Sequence, residues 1–155
     1  MKKIFAVLAV TSIGMLFGFF SPDYLDWSST KPISFQDFKG SAPKSKSSST
    51  VKLSTLITFE TRQVKGQVPK ITIYNRLDRN ASWIKVKRDD ILKIQQVKFD
   101  YSELYARKIR KEIVTMNKQG IKERQKYVDV IAKYARKLDK IQGTNSLFLE
   151  DQPHL

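Results

Sequence analysis

From residue 89 to about residue 142 the apolar side chains recur with the period of an α-helix, in two runs separated by a break. In the first run Leu92, Phe99, Ala106 and Ile113 stand seven residues apart, which predicts a long helix with that stripe turned toward a core. Asp89 or Asp90 is placed to cap its start. Residues 117–120 interrupt the pattern. A second helix is expected beyond them, with Ile121, Val128, Ile131, Ala135, Leu138 and Ile141 on its apolar face, Lys122, Lys126, Lys133 and Lys137 on the other, and Gly143 at its end. Two amphipathic helices joined by so short a turn are expected to pack antiparallel.

Upstream the period changes from 3.6 to about 2. Residues 51–64 alternate imperfectly through Leu53, Leu56, Ile57 and Phe59, and residues 70–77 alternate well through Ile71, Ile73 and Asn75. Both read as strands of a small antiparallel sheet, joined through Lys65, Gly66 and Gln67 with Pro69 opening the second. A third apolar piece, with Trp83, Ile84 and Val86, either extends the sheet or covers the start of the long helix. Before the strands, Phe35 and Phe38 flank Asp37 in a turn or short helix that Gly40 ends, and residues 41–50, almost all Ser, Lys and Pro, form a loop. The expected fold is α+β: a small antiparallel sheet packed against two long antiparallel helices.

The N-terminus carries a different pattern. Lys2 and Lys3 precede an apolar run over residues 4–20, the layout of an export signal or of an N-terminal membrane anchor. The expected organisation is therefore a signal or anchor over residues 1–21, a single α+β domain over 22–143 and a C-terminal tail over 144–155, with a secreted or periplasmic, cell-envelope address. The 155 residues include no cysteine, which excludes disulfides, thiolate metal sites, cysteine nucleophiles and a thiol-linked lipid, so the domain holds together by packing alone. The net charge is +14, and loss of Lys2 and Lys3 with the leader leaves about +12. Such a surface is either a set of solvated lysine-rich helix faces or one drawn to anionic lipid or acidic polysaccharide. Nucleic acid is not an expected partner: Tyr101, Tyr105, Tyr127 and Tyr134 lie at helical spacing among lysines, which suits the polar rim of a core better than a stacking groove.

Chemistry is most legible in the first helix, over residues 91–107. A zinc hydrolase of the H-E-x-x-H type needs two imidazoles four residues apart and a glutamate beside the first to take the proton of metal-bound water. The corresponding positions here hold Ile94, Gln95 and Lys98. Residues 31–40, the Ser82-Trp83 pair, and above all Phe99-Asp100 followed by Glu103, Ala106-Arg107 and Arg110-Lys111 resemble the bacterial family called domain of unknown function 922, described as secreted zinc-dependent proteases. That family's helix reads approximately Leu-Leu-x-His-Glu-Gln-x-His-Phe-Asp-x-x-Glu-x-x-Ala-Arg. Gln96, Phe99, Asp100, Glu103, Ala106 and Arg107 match it. The first zinc histidine falls on Ile94, the catalytic glutamate on Gln95 and the second histidine on Lys98. A later Tyr-Asp and His-Gly motif falls on Leu138-Asp139 and Thr144-Asn145, so its histidine is missing as well. The resemblance implies an α+β fold and an envelope address.

It does not imply activity. Isoleucine has no lone pair for zinc, and glutamine takes no proton from water. A protonated Lys98 ~4 Å from a divalent ion would repel it by about 8 kcal/mol at an effective dielectric of ~20. His154, the single histidine, reads as a tail residue. Asp100 and Glu103 make a poor calcium site without a ligand-rich loop; Glu103 is expected to pair with Arg107, and Asp100 with nearby backbone or a lysine. The expectation is thus a non-catalytic binding protein with no cofactor and no metal. Its old cleft would persist as a groove around Gln95, Lys98, Glu103 and Arg107 for an acidic peptide, an acidic glycan or another envelope protein. A basic polyanion- or membrane-surface-binding envelope protein is the alternative, an active metalloprotease a more distant one, and a purely structural envelope protein is not separable from the first reading by sequence.

Overall fold

In the computed structural model, which describes residues 23–44 and 49–142 and the backbone of 149–150, a four-stranded sheet lies against a pair of helices. The elements run β1 (Tyr24–Asp26), a 3-10 turn (Phe35–Asp37), β2 (Val51–Lys52), β3 (Thr55–Arg62), β4 (Lys70–Asp78), β5 (Trp83–Ile84), α1 (Asp89–Lys118), α2 (Arg124–Gln142) and β6 (Leu149–Glu150). The architecture is α+β, as the two periodicities predict. β3 and β4 form the antiparallel hairpin at its centre, in register from Thr55↔Leu77 to Arg62↔Lys70. β1 adds antiparallel to the free side of β4, and the order is β1-β4-β3-β6.

Several expectations are refined. The imperfect alternation over 51–64 resolves into two strands: β2 leaves the main sheet and pairs with β5 in a separate two-stranded ladder, so the Trp83 segment does not extend the central sheet. Residues 149–150, read as tail, pair parallel to β3 and occupy an edge whose N–H and C=O groups otherwise lack partners. The leader over 1–21, His154 and the rest of the 144–155 tail lie outside the described residues. The cap of α1 is Arg88, without a side-chain cap bond; Asp89 and Asp90 sit inside the first turn, where carboxylates face the positive helix end.

Packing follows the stripes. Phe99, Ala106 and Ile113 are buried as expected, joined by Ile109 and Met116. They meet Ile57, Phe59 and Ile73 from the sheet and Tyr127, Ile131 and Leu138 from α2 in one cluster, except that Phe99 belongs to a second cluster with Ile33, Leu53 and Leu77. Each Ile, Leu, Phe or Met side chain among them, taken fully from water, contributes about 1.5–3 kcal/mol. Tyr127 is fully buried, unlike the polar rim its neighbours suggest; its hydroxyl bonds to Asn117 Oδ1 at 2.8 Å and Ile121 O at 2.9 Å, closing the interhelical turn at Gly120, whose φ is +67°. Gln142 Nε2 donates to Lys98 O at 2.9 Å and Lys133 pairs with Glu112 at 3.6 Å, which fixes the helices as antiparallel. Among the described residues no helix is long and apolar enough to cross a membrane.

Gly40 lies where the chain passes closest to a neighbour. Its N–H donates to Ser82 O at 2.8 Å, and a Cβ built there would stand 2.5 Å from Asn80 O and 2.8 Å from Ser82 O. Just before it, Asp37 is buried, accepts from Ser34 N and Oγ at 2.8 Å, and pairs with Arg79 at 3.0 Å. The 3-10 turn is thereby pinned as the flanking phenylalanines suggest.

Candidate functional site

The four residues expected to line one groove are not brought together. Residues 98 and 103 are five apart, which at 100° per residue separates them by about 140° around the axis of α1. Gln95 faces the interior and is 3% exposed. Ile94 and Lys98 are exposed on the flank beside α2. Glu103 and Arg107 occupy the opposite flank. Among the described residues no three His, Asp or Glu side chains converge as metal donors.

The flank that holds Glu103 has the denser chemistry. Glu103, Arg107 and Arg110 stand at i, i+4 and i+7 and therefore share a face. The Glu103 side chain is 7% exposed, against 62% for Arg107 and 40% for Arg110. Arg107 Nε donates to Glu103 Oε1 at 3.1 Å and Arg110 to the same oxygen at 2.8 Å. Arg110 also grips the sheet: its Nε and a terminal nitrogen donate to Ile73 O at 3.2 and 2.9 Å. A carboxylate removed from water is costly unless paired and hydrogen-bonded, and both conditions are met here. Two guanidinium groups against one carboxylate leave one positive charge in excess at this point.

The lead segment completes the site. Trp27, just beyond β1, donates Nε1 to Asp100 Oδ1 at 2.8 Å, and the Arg107 guanidinium lies over its ring at 5.2 Å. Gln96 donates to the same Asp100 oxygen at 2.7 Å and accepts from Ile33 N at 2.7 Å. Asp100 is thus oriented by Trp27 and Gln96, not by backbone or lysine. Beneath, Ser102 Oγ lies 2.6 Å from Asn75 Oδ1, and Asn75 Nδ2 donates to Phe99 O at 3.3 Å. Between α1, β1 and β4 opens a cavity of about 190 Å³ lined by Asp26, Trp27, Ile73, Tyr74, Asn75, Glu103 and Arg110. Two of the lining residues are held by Arg76, which bonds to Asp26 at 2.8 Å and lies over the Tyr74 ring at 4.2 Å. Desolvation, with the Glu60 carboxylate beside it, raises the Tyr74 phenol above its ordinary pKa, so it stays a donor through the physiological range.

Arg110 and Trp27 were not among the site residues that the sequence suggested. The seven-residue step from Glu103 to Arg110 carried the first. The pairing of Trp27 with Asp100 spans 73 positions and leaves no local signal. Comparison of the chain with models of known protein families, with curated proteins and with solved structures gives no match.

Proposed function

We propose that the chain is an exported, non-catalytic binding protein of the cell envelope, a relative of the zinc-dependent protease family it resembles in which the metal ligands have been replaced by Ile94, Gln95 and Lys98. Export is supported by Lys2 and Lys3 ahead of the apolar run over 4–20. The binding role is supported chiefly by one observation: the Glu103 carboxylate is buried and already neutralised by Arg107 and Arg110, while Arg107 stands 62% exposed over Trp27. Arg107 spends only its Nε on Glu103, which leaves the terminal nitrogens facing solvent for a carboxylate of the ligand.

The ligand class is an acidic peptide or the acidic segment of an envelope protein. Relative to the groove expected from sequence, the contact residues shift to Trp27, Glu103, Arg107 and Arg110. Titration calorimetry of the full chain with a glutamate-rich peptide and a neutral one tests the reading. The acidic peptide is expected to bind, and Arg107→Gln to weaken it about tenfold, the worth of one charge-assisted hydrogen bond. Equal affinity for the two peptides, or an Arg107→Gln protein that binds as wild type, would refute it.

A further inference from the structure

The outer face of α1, turned away from the buried stripe, carries a second pattern that the core does not use. Ile94, Val97, Tyr101 and Leu104 follow one another at steps of three, four and three, so they form a single ridge along the helix. Their exposures are 55%, 65%, 37% and 44%. Ile141, 56% exposed, is brought alongside by the bond from Gln142 to Lys98 O. Scattered exposed apolar residues are ordinary, but a contiguous row of large ones marks a docking surface.

The surroundings of the ridge select its occupant. Lys93, Lys98, Lys108 and Lys111 border it on α1, all exposed. Beside it, between α1 and α2, lies a recess of about 430 Å³ lined by Lys108, Lys111, Glu112, Thr115 and Tyr134. The one acid in that recess, Glu112, is engaged by Lys133. A second copy of the chain would set lysine rows against lysine rows and is disfavoured by charge. A convex apolar row on the outside of a helix, flanked by long cationic side chains, fits a planar anionic layer: the apolar tips enter the headgroup boundary while the lysines reach phosphate. The chain's +14 charge adds long-range attraction to such a layer.

We propose that the Ile94–Val97–Tyr101–Leu104 ridge of α1, with its bordering lysines, docks the domain on an anionic phospholipid surface. The ridge is built from other residues than the cavity beside Glu103 and Arg110 and does not depend on the reading given to that cavity.

Vesicle co-sedimentation of the full chain tests the proposal, with vesicles of phosphatidylcholine alone and of phosphatidylcholine mixed with phosphatidylglycerol. The mixed vesicles are expected to bind the protein, less so as salt rises. The double variant Val97→Ser, Leu104→Ser is expected to partition at least about tenfold more weakly, because the apolar area entering the interface is removed. Lys98→Glu with Lys108→Glu is expected to weaken binding to mixed vesicles at least about tenfold while lowering acidic-peptide affinity less than Arg107→Gln does. All four positions are exposed, so the fold survives the changes, and circular dichroism of each variant checks this. The full chain keeps residues 4–20 in every variant. Insertion through that run alone would leave the Ser variant bound as tightly as wild type and overturn the proposal, as would wild type that ignores anionic vesicles.

Discussion

Arg110→Ala is expected to destabilise the domain by about 2–3 kcal/mol, and Arg107→Ala by no more than about 1 kcal/mol, although both arginines bond to the same oxygen of Glu103. Arg110 makes that bond from a side chain that also donates twice to Ile73 O. Its removal leaves a buried carboxylate short of a partner and a sheet carbonyl short of a donor, each loss worth about 1–1.5 kcal/mol because the half-exposed Arg110 site admits water. Arg107 contributes an i,i+4 ion pair that is mostly in water, worth about 0.3–0.5 kcal/mol, and a contact over Trp27 worth about 0.5 kcal/mol at an exposed site. For a domain of this size 1 kcal/mol moves Tm by about 3–5 °C, so Arg110→Ala is expected to melt roughly 6–15 °C below wild type and Arg107→Ala within about 5 °C of it. Urea unfolding followed by circular dichroism gives the free energies directly. In a Glu103→Ala background the cost of Arg110→Ala is expected to shrink toward that of the Ile73 bonds alone. Equal costs for the two arginines, or a cost for Arg110 that ignores the presence of Glu103, would show that the carboxylate is not held as described.

Two further outcomes follow from the packing. Burial raises the Tyr127 phenol above its ordinary value of 10.0, and Tyr74, Tyr105 and Tyr134 are raised as well. Above that ordinary value the unfolded chain releases these protons first while the folded chain retains them, so stability is fully present below about pH 10 and falls as pH rises further; Tyr127→Phe is expected to flatten part of that alkaline fall and to cost about 1 kcal/mol at neutral pH, and urea midpoints that do not change between pH 8 and pH 11 would contradict it. Gly40→Ala is expected to cost at least about 2 kcal/mol, because its Cβ would meet two backbone carbonyl oxygens inside 3.0 Å; a midpoint equal to wild type would mean that the turn between β4 and β5 yields more easily than its hydrogen bonds suggest.

The helix pair and the central hairpin were legible because each rests on a local period. Leu92 to Ile113 and Val128 to Leu138 mark their faces with no help from distant sequence, and Ile71 and Ile73 set the strand. The site was only half legible. Glu103 and Arg107 are one turn apart, so their pairing is readable from spacing alone. Grouping them with Lys98 failed because proximity in sequence is not proximity around a helix: five residues carry the side chain to the other flank. Gln95 stands three residues after Leu92 and four before Phe99, on the buried stripe, but its polar side chain hid that it faces inward. Ile94, Val97, Tyr101 and Leu104 were masked by the core stripe running beside them, since a helix that is apolar on two faces blurs its own period. Ile141 continues the apolar face of α2 in sequence, yet it lies one turn past Leu138, the last buried residue of that helix, and is left outside.

β1 is three residues long, and its partner on β4 lies about fifty positions downstream, Asp26 opposite Arg76. A chain emerging from a ribosome or a translocation pore with its N-terminus leading thus exposes Tyr24, Leu25 and Trp27 well before the strand that receives them exists. Three residues hold no stable conformation by themselves. Closure of the sheet edge must wait until β4 has been made, and the seating of Trp27 on Asp100 and the assembly of the Arg107 flank until α1 has been made. The earliest part of the domain to appear is in this way among the last to become ordered.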